Sequence, residues 1–417
     1  MKYFKTDGIR GVFGASDLSI ELILKVGYSF DIFNENKVLI GYDTRYSSKI
    51  ILQALKYALE ISGKTVFDYG VISTPALEYL TKKKRTIGIM ITASHNDFTY
   101  NGLKIIYKGH KLDDSLKEKL EKRMEENHKP VKIGSYRENK CPKNYFKFFD
   151  SIKIKKKYKI VFDLANGSMC FLNDYLKKRF PDAIMINNEP NGFNINDECG
   201  ALYPELARKI MIDNDYDIAV SFDGDGDRAI IILKNGKILN GDLLLYFFAT
   251  ELKMKNKLKN NTVIYSLIAN RGITNVLEEN NIKVKFVNVG DENISSEIKN
   301  GVASLGGEKS GHIIFNKKYN YSCGLTTILK FLSMLNEKAI INLNCIKEYY
   351  EVSKNYKEIR MINKLENKLK AIVTSGNVIV RRSGTENLFR VILMSPNKCE
   401  IIDGLNFLEN WIIAKIY

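Results

Sequence analysis

Short apolar runs that lead into polar loops recur along the chain and restrict the folds open to it. They lie at residues 38–40, 87–91, 160–164, 218–222 and 263–268. Each run is rich in β-branched or other apolar residues, and Gly, Asp, Asn or Ser follows it, as is typical of a strand. Residues 51–59 then repeat apolar side chains at helical spacing, and Gly63 suits the end of that helix. This alternation predicts repeated α/β units, in which ligands bind beyond the carboxyl ends of the strands.

The length of the chain predicts several domains. It has 417 residues, of which 45% are hydrophobic, and this exceeds what one hydrophobic core usually serves. Its six cysteines are scattered without a C-x-x-C pair, which argues against zinc sites and a disulfide framework. Its longest apolar runs, such as residues 243–249, are shorter than the roughly 20 residues that span a bilayer. Residues 1–10 are charged and unlike a signal peptide, so we expect a cytoplasmic protein with no membrane partner.

The charge balance is strongly basic. Lys and Arg number 64 against 48 Asp and Glu, a formal net charge of +16. Nucleic acid, an acidic membrane or a small anionic substrate could each account for such a charge. The densest cluster, residues 153–159, directly precedes an apolar run and does not lie in a tail with interleaved aromatic residues. Because no nucleic-acid-binding motif accompanies the lysines, we expect a solvated basic face and no nucleic-acid partner.

Three carboxylates stand at alternate positions in residues 223–228, directly after an apolar run. Asp223, Asp225 and Asp227 are separated by glycines, which allow the backbone to turn sharply. Such carboxylates can converge on one hard cation, for which magnesium is the natural candidate. An acidic turn between two strands is the structural alternative, although adjacent carboxylates repel one another without a cation.

Two other known motifs fail at this loop. An EF-hand needs Gly at its sixth position and Glu at its twelfth, where this chain has Arg228 and Lys234. Residues 224–229 match the loose dinucleotide fingerprint, but two aspartates inside the loop would repel a pyrophosphate. The apolar residues 230–233 also predict a strand there, where the fingerprint requires a helix.

Residues 92–96, Thr-Ala-Ser-His-Asn, place the hydroxyl of Ser94 beside an imidazole at the end of an apolar run. This is a plausible position for a nucleophile, although a structural serine loop fits these residues equally well. The G-x-S-x-G elbow of hydrolases is absent, so an esterase is not indicated.

Two glycine-containing loops later in the chain are suited to phosphosugar recognition. The first is residues 306–312, and the second is residues 381–386 with Arg390 beyond it. The second offers backbone N–H groups, hydroxyls and guanidinium groups, which together form donors for a phosphate. A basic turn without a ligand is its structural alternative.

Five segments together resemble the signature set of the α-D-phosphohexomutases. They are residues 6–11, 92–96, 223–228, 307–312 and 381–386. The resemblance extends from the first ten residues to the last forty, in the same order and spacing. It implies an α/β fold of four domains around a central cleft, three mixed α/β and one C-terminal α+β. We accordingly predict domains at residues 1–145, 146–245, 246–350 and 351–417, which carry the phosphoserine, metal, sugar and phosphate loops respectively.

The resemblance also implies roles for individual residues. Ser94 resembles the phosphoserine, and Asp223, Asp225 and Asp227 the Mg²⁺ ligands beside its phosphate. Catalytic roles are implied for Arg10, Lys104 and His312: Arg10 and Lys104 match basic groups near the phosphoserine that aid proton transfer and charge stabilisation, and His312 lies beside the residues that match the sugar-binding loop. Substrate binding is expected at Arg228, Glu308, Ser310, Arg381, Ser383, Gly384, Thr385 and Arg390.

The implied activity is phosphoryl transfer from Ser94 to a phosphosugar, which gives a sugar 1,6-bisphosphate before the other phosphate returns to the serine. Residues 190–196 and the opening segment resemble the branch that interconverts glucosamine 6-phosphate and glucosamine 1-phosphate, the precursor of UDP-N-acetylglucosamine. The alternatives are a mutase of mannose or glucose phosphates and a non-catalytic phosphosugar-binding protein. Lys309 and Glu292 depart from the branch pattern, which usually has glutamine and a basic residue there. We expect a phosphosugar substrate and a monomer or homodimer.

Overall fold

The computed structural model describes residues 2–4, 8–126, 132–315, 321–357, 359, 361–382 and 388–413. The chain divides into two compact units, each built from two chain segments. The first unit comprises Met1–Asn240 and Ser310–Met334, and the second comprises Gly241–Lys309 and Leu335–Tyr417.

Strands and helices alternate along most of the described chain. The strands are β1 (Ile9–Val12), β2 (Lys37–Tyr42), β3 (Thr65–Val71), β4 (Ile87–Ile91), β5 (Tyr100–Tyr107), β6 (His110–Lys111), β7 (Ser135–Glu138), β8 (Ile160–Asp163), β9 (Ile184–Ile186), β10 (Ile218–Phe222), β11 (Ala229–Leu233), β12 (Ile238–Leu239), β13 (Thr262–Ser266), β14 (Lys283–Val287), β15 (Leu305–Gly307), β16 (Ile313–Phe315), β17 (Tyr350–Tyr356), β18 (Asn377–Arg382) and β19 (Phe389–Ser395). The helices are α1 (Ile20–Tyr28), α2 (Tyr46–Ile61), α3 (Thr74–Lys84), α4 (Asp114–Met124), α5 (Lys143–Asp150), α6 (Asn173–Arg179), α7 (Glu205–Asp213), α8 (Gly241–Met254), α9 (Arg271–Glu279), α10 (Asp291–Lys299), α11 (Gly324–Met334), α12 (Glu337–Cys345), α13 (Ile362–Ile372) and α14 (Lys398–Ile413).

The first unit contains two mixed sheets. In one, the strand order is β1-β5-β4-β2-β3-β7, and β6 pairs with β5. The strands β2, β3, β4 and β7 run parallel, whereas β5 is antiparallel to both of its neighbours β4 and β1. The five residues of β4 are all buried, as expected for a central strand covered on both faces. The carboxyl end of β4 therefore leads directly from the core into the loop that carries Ser94.

The other sheet of the first unit has the order β12-β11-β10-β8-β9. The strands β8, β9 and β10 are parallel, and β11 returns antiparallel to β10 from the aspartate loop. Both β10 and β11 are fully buried, and α11 packs against β11. The aspartates thus lie in a hairpin between two buried strands, where the strand signal of residues 230–233 had placed them.

The second unit combines a parallel sheet with a separate antiparallel one. The strand β13 lies between β14 and β15 and runs parallel to both. The C-terminal sheet has the order β17-β19-β18 and is antiparallel throughout. Its core is formed with α13 and α14 around buried leucines such as Leu365, Leu369 and Leu393.

The prediction of a multidomain α/β fold is confirmed. Each apolar run interpreted as a strand overlaps one, although residue 164 lies beyond β8 and residues 267–268 lie beyond β13; the predicted helix after the first run is α2. Gly63, just beyond α2, has a φ of +77°, as a glycine that follows a helix end often has. The boundaries of four domains at residues 145, 245 and 350 stay a prediction. Among the described helices, none combines the length and the apolar composition needed to cross a bilayer.

We predict that Leu393→Ala destabilises the C-terminal sheet. Leu393 is 1% exposed on β19, so truncation removes buried methyl groups and leaves a cavity. A loss of about 2–5 kcal/mol in the opening free energy of β18 and β19 amides is expected from hydrogen exchange. The matched control is Ile402→Ala on α14, because Ile402 is 47% exposed and its loss should change this free energy by under about 0.5 kcal/mol. Equal effects of the two substitutions would contradict the assigned core.

Candidate active site

Ser94 lies in a tightly held loop after β4. Its φ is +53°, a left-handed conformation that costs energy for a residue with a Cβ. Its N–H donates to Thr92 Oγ1 at 2.9 Å, and its carbonyl accepts from Arg45 at 3.0 Å and from Asn196 at 2.9 Å. These three hydrogen bonds hold the strained backbone in place, so they also fix the direction of the Ser94 hydroxyl.

A buried ion pair between Arg45 and Asp43 supports the loop of Ser94. Arg45 and Asp43 have fully buried side chains, and their Nε and Oδ2 atoms are 2.9 Å apart. The Arg45 guanidinium also donates to the carbonyls of Asn96, Asp97 and Tyr100. One buried cation thus satisfies several carbonyls of the turn that no strand or helix could pair.

The three aspartates converge as their spacing predicted. One ligand oxygen from each of Asp223, Asp225 and Asp227 lies within 4.8 Å of the others, and all three residues are buried. Ser94 Oγ donates to Asp223 Oδ2 at 2.7 Å, which joins the serine to this cluster. Among the residues that the structure describes, Asp225 Oδ1 is buried without a hydrogen-bond partner. A buried anionic oxygen without a donor fits a bound divalent cation.

The glycines of the aspartate loop are required by close approach. A Cβ on Gly224 would lie 2.5 Å from the Ser94 carbonyl oxygen and 2.8 Å from Asn196 Nδ2. Gly226 has a φ of +73°, which favours glycine, and lets the chain reverse between the second and third carboxylates. The serine loop and the aspartate loop can therefore touch only because these positions lack side chains.

Cationic groups surround the carboxylates. Lys104, on β5, places its Nζ 2.7 Å from Asp225 Oδ2 and 3.1 Å from Asp227 Oδ2. His312 Nε2 is 2.7 Å from Asp227 Oδ1, and Arg228 Nε donates to the same imidazole nitrogen at 3.3 Å. Arg10 contacts the serine loop through a 3.1 Å bond from Nη1 to Asn96 Oδ1.

Burial and charge shift the titration of these groups in opposite directions. Burial raises the pKa of Asp223 well above its ordinary value, and the neighbouring Asp227 and Asp225 add to the effect. Burial also acts on Asp227, but His312 and Lys104 outweigh it and hold the pKa of Asp227 well below its usual range. The adjacent cation Arg228, followed by burial, lowers the pKa of His95 well below its ordinary value, so its imidazole is neutral. The cluster thus tolerates its own negative charge only with cations close by.

The second unit carries its own set of polar groups. Glu308 Oε1 accepts from the Gly290 N–H at 2.8 Å, at a glycine with a φ of +126°. Arg381 and Arg390 lie directly opposite each other on β18 and β19, and such cross-strand pairs put like charges on one face. Arg381 Nε is buried without a hydrogen-bond partner among the described residues, although Arg390 Nε donates to Asn355 at 3.0 Å. Burial, and then the neighbouring Arg390, lowers the pKa of Arg381. This pair fits a bound anion such as phosphate.

The structure brings the predicted residues together within each unit. Ser94, Lys104 and the three aspartates form one cluster in the first unit, with Arg228 and His312 beside it. Ser310, also in the first unit, has a buried hydroxyl with no hydrogen-bond partner among described residues. Ser383, Gly384 and Thr385 lie outside the described residues, so their predicted roles stay predictions.

Sequence reasoning missed the supports of the serine loop. Asp43, Arg45 and Asn196 are buried polar residues that hold the Ser94 turn. Thr74 was also missed; its hydroxyl donates to Asp225 Oδ2. Their location in the sequence could have identified Asp43 and Arg45. Both lie just after β2, at the carboxyl end of a parallel strand, where ligand-binding loops commonly lie.

Comparison with known proteins gives two family-model matches. Residues 1–130 match phosphoglucomutase/phosphomannomutase, alpha/beta/alpha domain I, and residues 240–352 match domain III of the same family. A phosphoglucosamine mutase of Thermosipho africanus is 38% identical over 423 residues, which cover 96% of this chain and 95% of the relative. A phosphoglucosamine mutase of Dictyoglomus turgidum is 34% identical, with 97% and 96% covered.

Solved structures are similar in fold over nearly the whole chain. A phosphoglucomutase/phosphomannomutase family protein of Burkholderia thailandensis superposes with a TM-score of 0.83 at 23% identity, covering 99% of this chain and 97% of that one. An N-acetylphosphoglucosamine mutase of Aspergillus fumigatus, solved with GlcNAc-6P and magnesium, has a TM-score of 0.68 at 15% identity, with 98% and 95% covered. With the full-length relatives and the geometry around Ser94, these matches establish that the chain belongs to the phosphohexomutases, isomerase-class phosphotransferases, and is most like the phosphoglucosamine mutases.

Proposed function

We propose that this chain interconverts glucosamine 6-phosphate and glucosamine 1-phosphate through a phosphorylated Ser94 and a sugar bisphosphate. The observation that carries the proposal is the 2.7 Å bond between Ser94 Oγ and Asp223 Oδ2, inside a buried carboxylate cluster that also binds Lys104. Relatives of 31–38% identity over nearly the full chain bear the name phosphoglucosamine mutase, which supports this choice of sugar. The product would serve the synthesis of UDP-N-acetylglucosamine.

Each half of the reaction exchanges one phosphorus–oxygen bond for another. The bond from phosphorus to Ser94 Oγ breaks as a bond to the sugar hydroxyl forms, and the hydroxyl proton ends on a group of the site. The sugar then carries phosphates at both ends. In the second half, the phosphate originally on the sugar moves to Ser94, and the other isomer is left. Such transfers demand positioning and charge stabilisation more than covalent help.

The protein's own groups in the first unit would supply much of this stabilisation. The strained Ser94 turn keeps the oxygen in place, because Arg45 and Asn196 hold its carbonyl. The Lys104 ammonium lies among the carboxylates, where it can balance charge and exchange a proton with the leaving oxygen. We propose the same electrostatic role for Arg10 beside the loop. We assign His312 the task of orienting Asp227 and Arg228.

We propose that Asp223, Asp225 and Asp227, together with the Ser94 phosphate, bind Mg²⁺. The buried Asp225 Oδ1 without a donor supports this assignment, and so does the oxygen-only ligand set that Mg²⁺ prefers. When bound, the ion would neutralise charge that develops on the transferring phosphoryl group.

The second unit would bind the remaining parts of the substrate. We propose that Glu308 binds sugar hydroxyl or amino groups, and that Arg381 and Arg390 bind the phosphate that is not being transferred. The buried Nε of Arg381 without a partner supports the latter role. We assign Arg228 and Ser310 in the first unit to substrate binding as well. A sugar 1,6-bisphosphate would then be both the intermediate and the activator. We further propose a cytoplasmic monomer or homodimer that has no nucleic-acid or membrane partner.

Turnover of glucosamine 6-phosphate, mannose 6-phosphate and glucose 6-phosphate tests the proposed substrate. The three sugars should be compared in one magnesium buffer with a sugar bisphosphate activator. We expect the highest kcat/KM for glucosamine 6-phosphate. A higher kcat/KM for mannose or glucose 6-phosphate would assign the chain to another branch, and absence of turnover with all three would favour a binding protein.

We predict that Ser94→Ala lowers turnover by about 10³-fold or more, because the variant has no oxygen to carry the phosphate. The fold should be retained, since the backbone bonds of the loop do not involve the hydroxyl. Mass spectrometry after incubation with the bisphosphate should find a phosphate on the wild-type peptide alone. Ser151→Ala, at an exposed serine, is the control. Wild-type turnover in the Ser94→Ala variant would exclude the phosphoserine.

We predict that Asp225→Asn raises the Mg²⁺ concentration needed for half-maximal activity by about tenfold or more, because a neutral amide replaces an anionic ligand. The side chain keeps its shape, so its bonds to neighbouring groups limit the structural change. Asp215→Asn serves as the control, since Asp215 is 80% exposed and forms only a surface ion pair with Lys234. Full activity after exhaustive chelation would exclude a metal from the reaction.

A further inference from the structure

Lys309 is held firmly within the second unit by one side-chain and one backbone contact. It follows Glu308 directly at the end of β15. Its Nζ is 2.6 Å from Glu351 Oε2, at the start of β17. Its carbonyl accepts the Gly241 N–H at 2.9 Å. Both the backbone and the side chain of Lys309 are therefore fixed, and the ammonium is directed towards an acid that lies 42 positions further along the chain.

The Lys309–Glu351 pair is partly shielded from water. The side chains are 32% and 19% exposed, whereas many lysine side chains at a surface are free in solvent. Asp242 lies nearby and is fully buried, with Oδ2 accepting the Asn270 N–H at 2.9 Å. Burial raises the pKa of Asp242 to about 7, Lys309 lowers it, and Glu351 and Glu348 raise it. The Lys309 ammonium thus lies in a cluster of acidic groups, which lowers its effective positive charge towards other ligands.

The net charge around the sugar loop, residues 306–312, depends on the Lys309–Glu351 pair. Glu308 brings one negative charge and Lys309 one positive charge, so the two residues alone are neutral. Glu351 restores a net negative charge to the set. A protonated aminosugar is attracted by a group of side chains with net negative charge and repelled by an unpaired cation. A sugar that has a hydroxyl in place of the amine is uncharged there and responds to neither charge.

We propose that Glu351 is a specificity-determining positioning residue, which holds the Lys309 ammonium in an ion pair and thereby allows the sugar loop to accept a protonated aminosugar. This inference rests on the proposed function, because it assumes a glucosamine phosphate as substrate. Glu351 acts through Lys309 and does not itself contact the sugar.

The test is Glu351→Gln, measured with glucosamine 6-phosphate and glucose 6-phosphate. The two substrates share the phosphate and differ at the amino group, so their kcat/KM ratio isolates the response to the ammonium. We expect this ratio to fall by about three- to tenfold, through a higher KM for glucosamine 6-phosphate, since one partly screened charge is released near the sugar. The kcat for glucose 6-phosphate should stay within about twofold of wild type.

A second substitution distinguishes charge from structure. In the double variant Glu351→Gln with Lys309→Gln, the released cation is absent, so the ratio should return to within about twofold of wild type. Glu366→Gln is the matched control, because Glu366 forms an ion pair with Lys370 of the same 2.6 Å length on the surface of α13. It should leave the ratio unchanged.

Four results would overturn the inference. An unchanged ratio in Glu351→Gln, an equal loss with both sugars, or a lowered ratio that Lys309→Gln does not restore would each exclude charge compensation as the role of Glu351. The fourth is a lower KM for both sugars. The released Lys309 would then bind the phosphate that both sugars carry, which would contradict a role in selecting the aminosugar. The substrate preference of the wild-type enzyme is a separate readout, which tests the proposed function independently of the change between variants.

Discussion

Three carboxylates buried within 4.8 Å of one another create a charge that the fold has to balance, and much of the first unit is arranged to do so. Burial, followed by the neighbouring Asp227 and Asp225, raises the pKa of Asp223 well above its ordinary value. Lys104, Arg228 and His312 come from three separate parts of the chain, and each contacts an aspartate of the cluster. Asp225 Oδ1 has no hydrogen-bond partner among the described residues, which supports the proposed metal site. The proposed phosphoryl transfer depends on this balance of charge and requires no unusual covalent group.

The two sheets of the first unit make this arrangement possible. The strands β4 and β10 are fully buried; β4 leads into the loop of Ser94, and β10 leads into the loop of the three aspartates. Because the strands are rigid and the loops short, Ser94 and Asp223 meet with little freedom. The approach is so close that Gly224 cannot be replaced by a larger residue without displacing the serine carbonyl. The strained backbone of Ser94 is stable only because Arg45, itself held by Asp43, binds the surrounding carbonyls.

Much of this could be predicted from the sequence, because its determinants are local. Buried strands appear in the sequence as apolar runs. The alternating aspartates of residues 223–227 predict by their spacing that the three carboxylates converge on one cation. Apart from the local Asp43–Arg45 pair, the missed contacts join residues far apart in the chain. Asn196 and Ser94 are 102 positions apart, and Lys309 and Glu351 are 42 positions apart. No periodicity encodes such pairs, since they arise only when strands are placed in a sheet and loops are packed over it.

The discontinuous composition of the first unit has a consequence for how the protein is made. The segment Ser310–Met334, which supplies His312 and α11, is synthesised after the chain has passed through Gly241–Lys309 of the second unit. At roughly 5–20 residues per second, a nascent chain that has emerged to Asn240 waits on the order of ten seconds for this segment. During that interval β11 is not yet covered by α11, and Asp227 has not yet met His312. The first part of the first unit therefore leaves the ribosome before the unit can fold completely. Its completion is therefore coupled to the synthesis of the second unit, and a ribosome that stalls within Gly241–Lys309 would release a chain with an exposed apolar face.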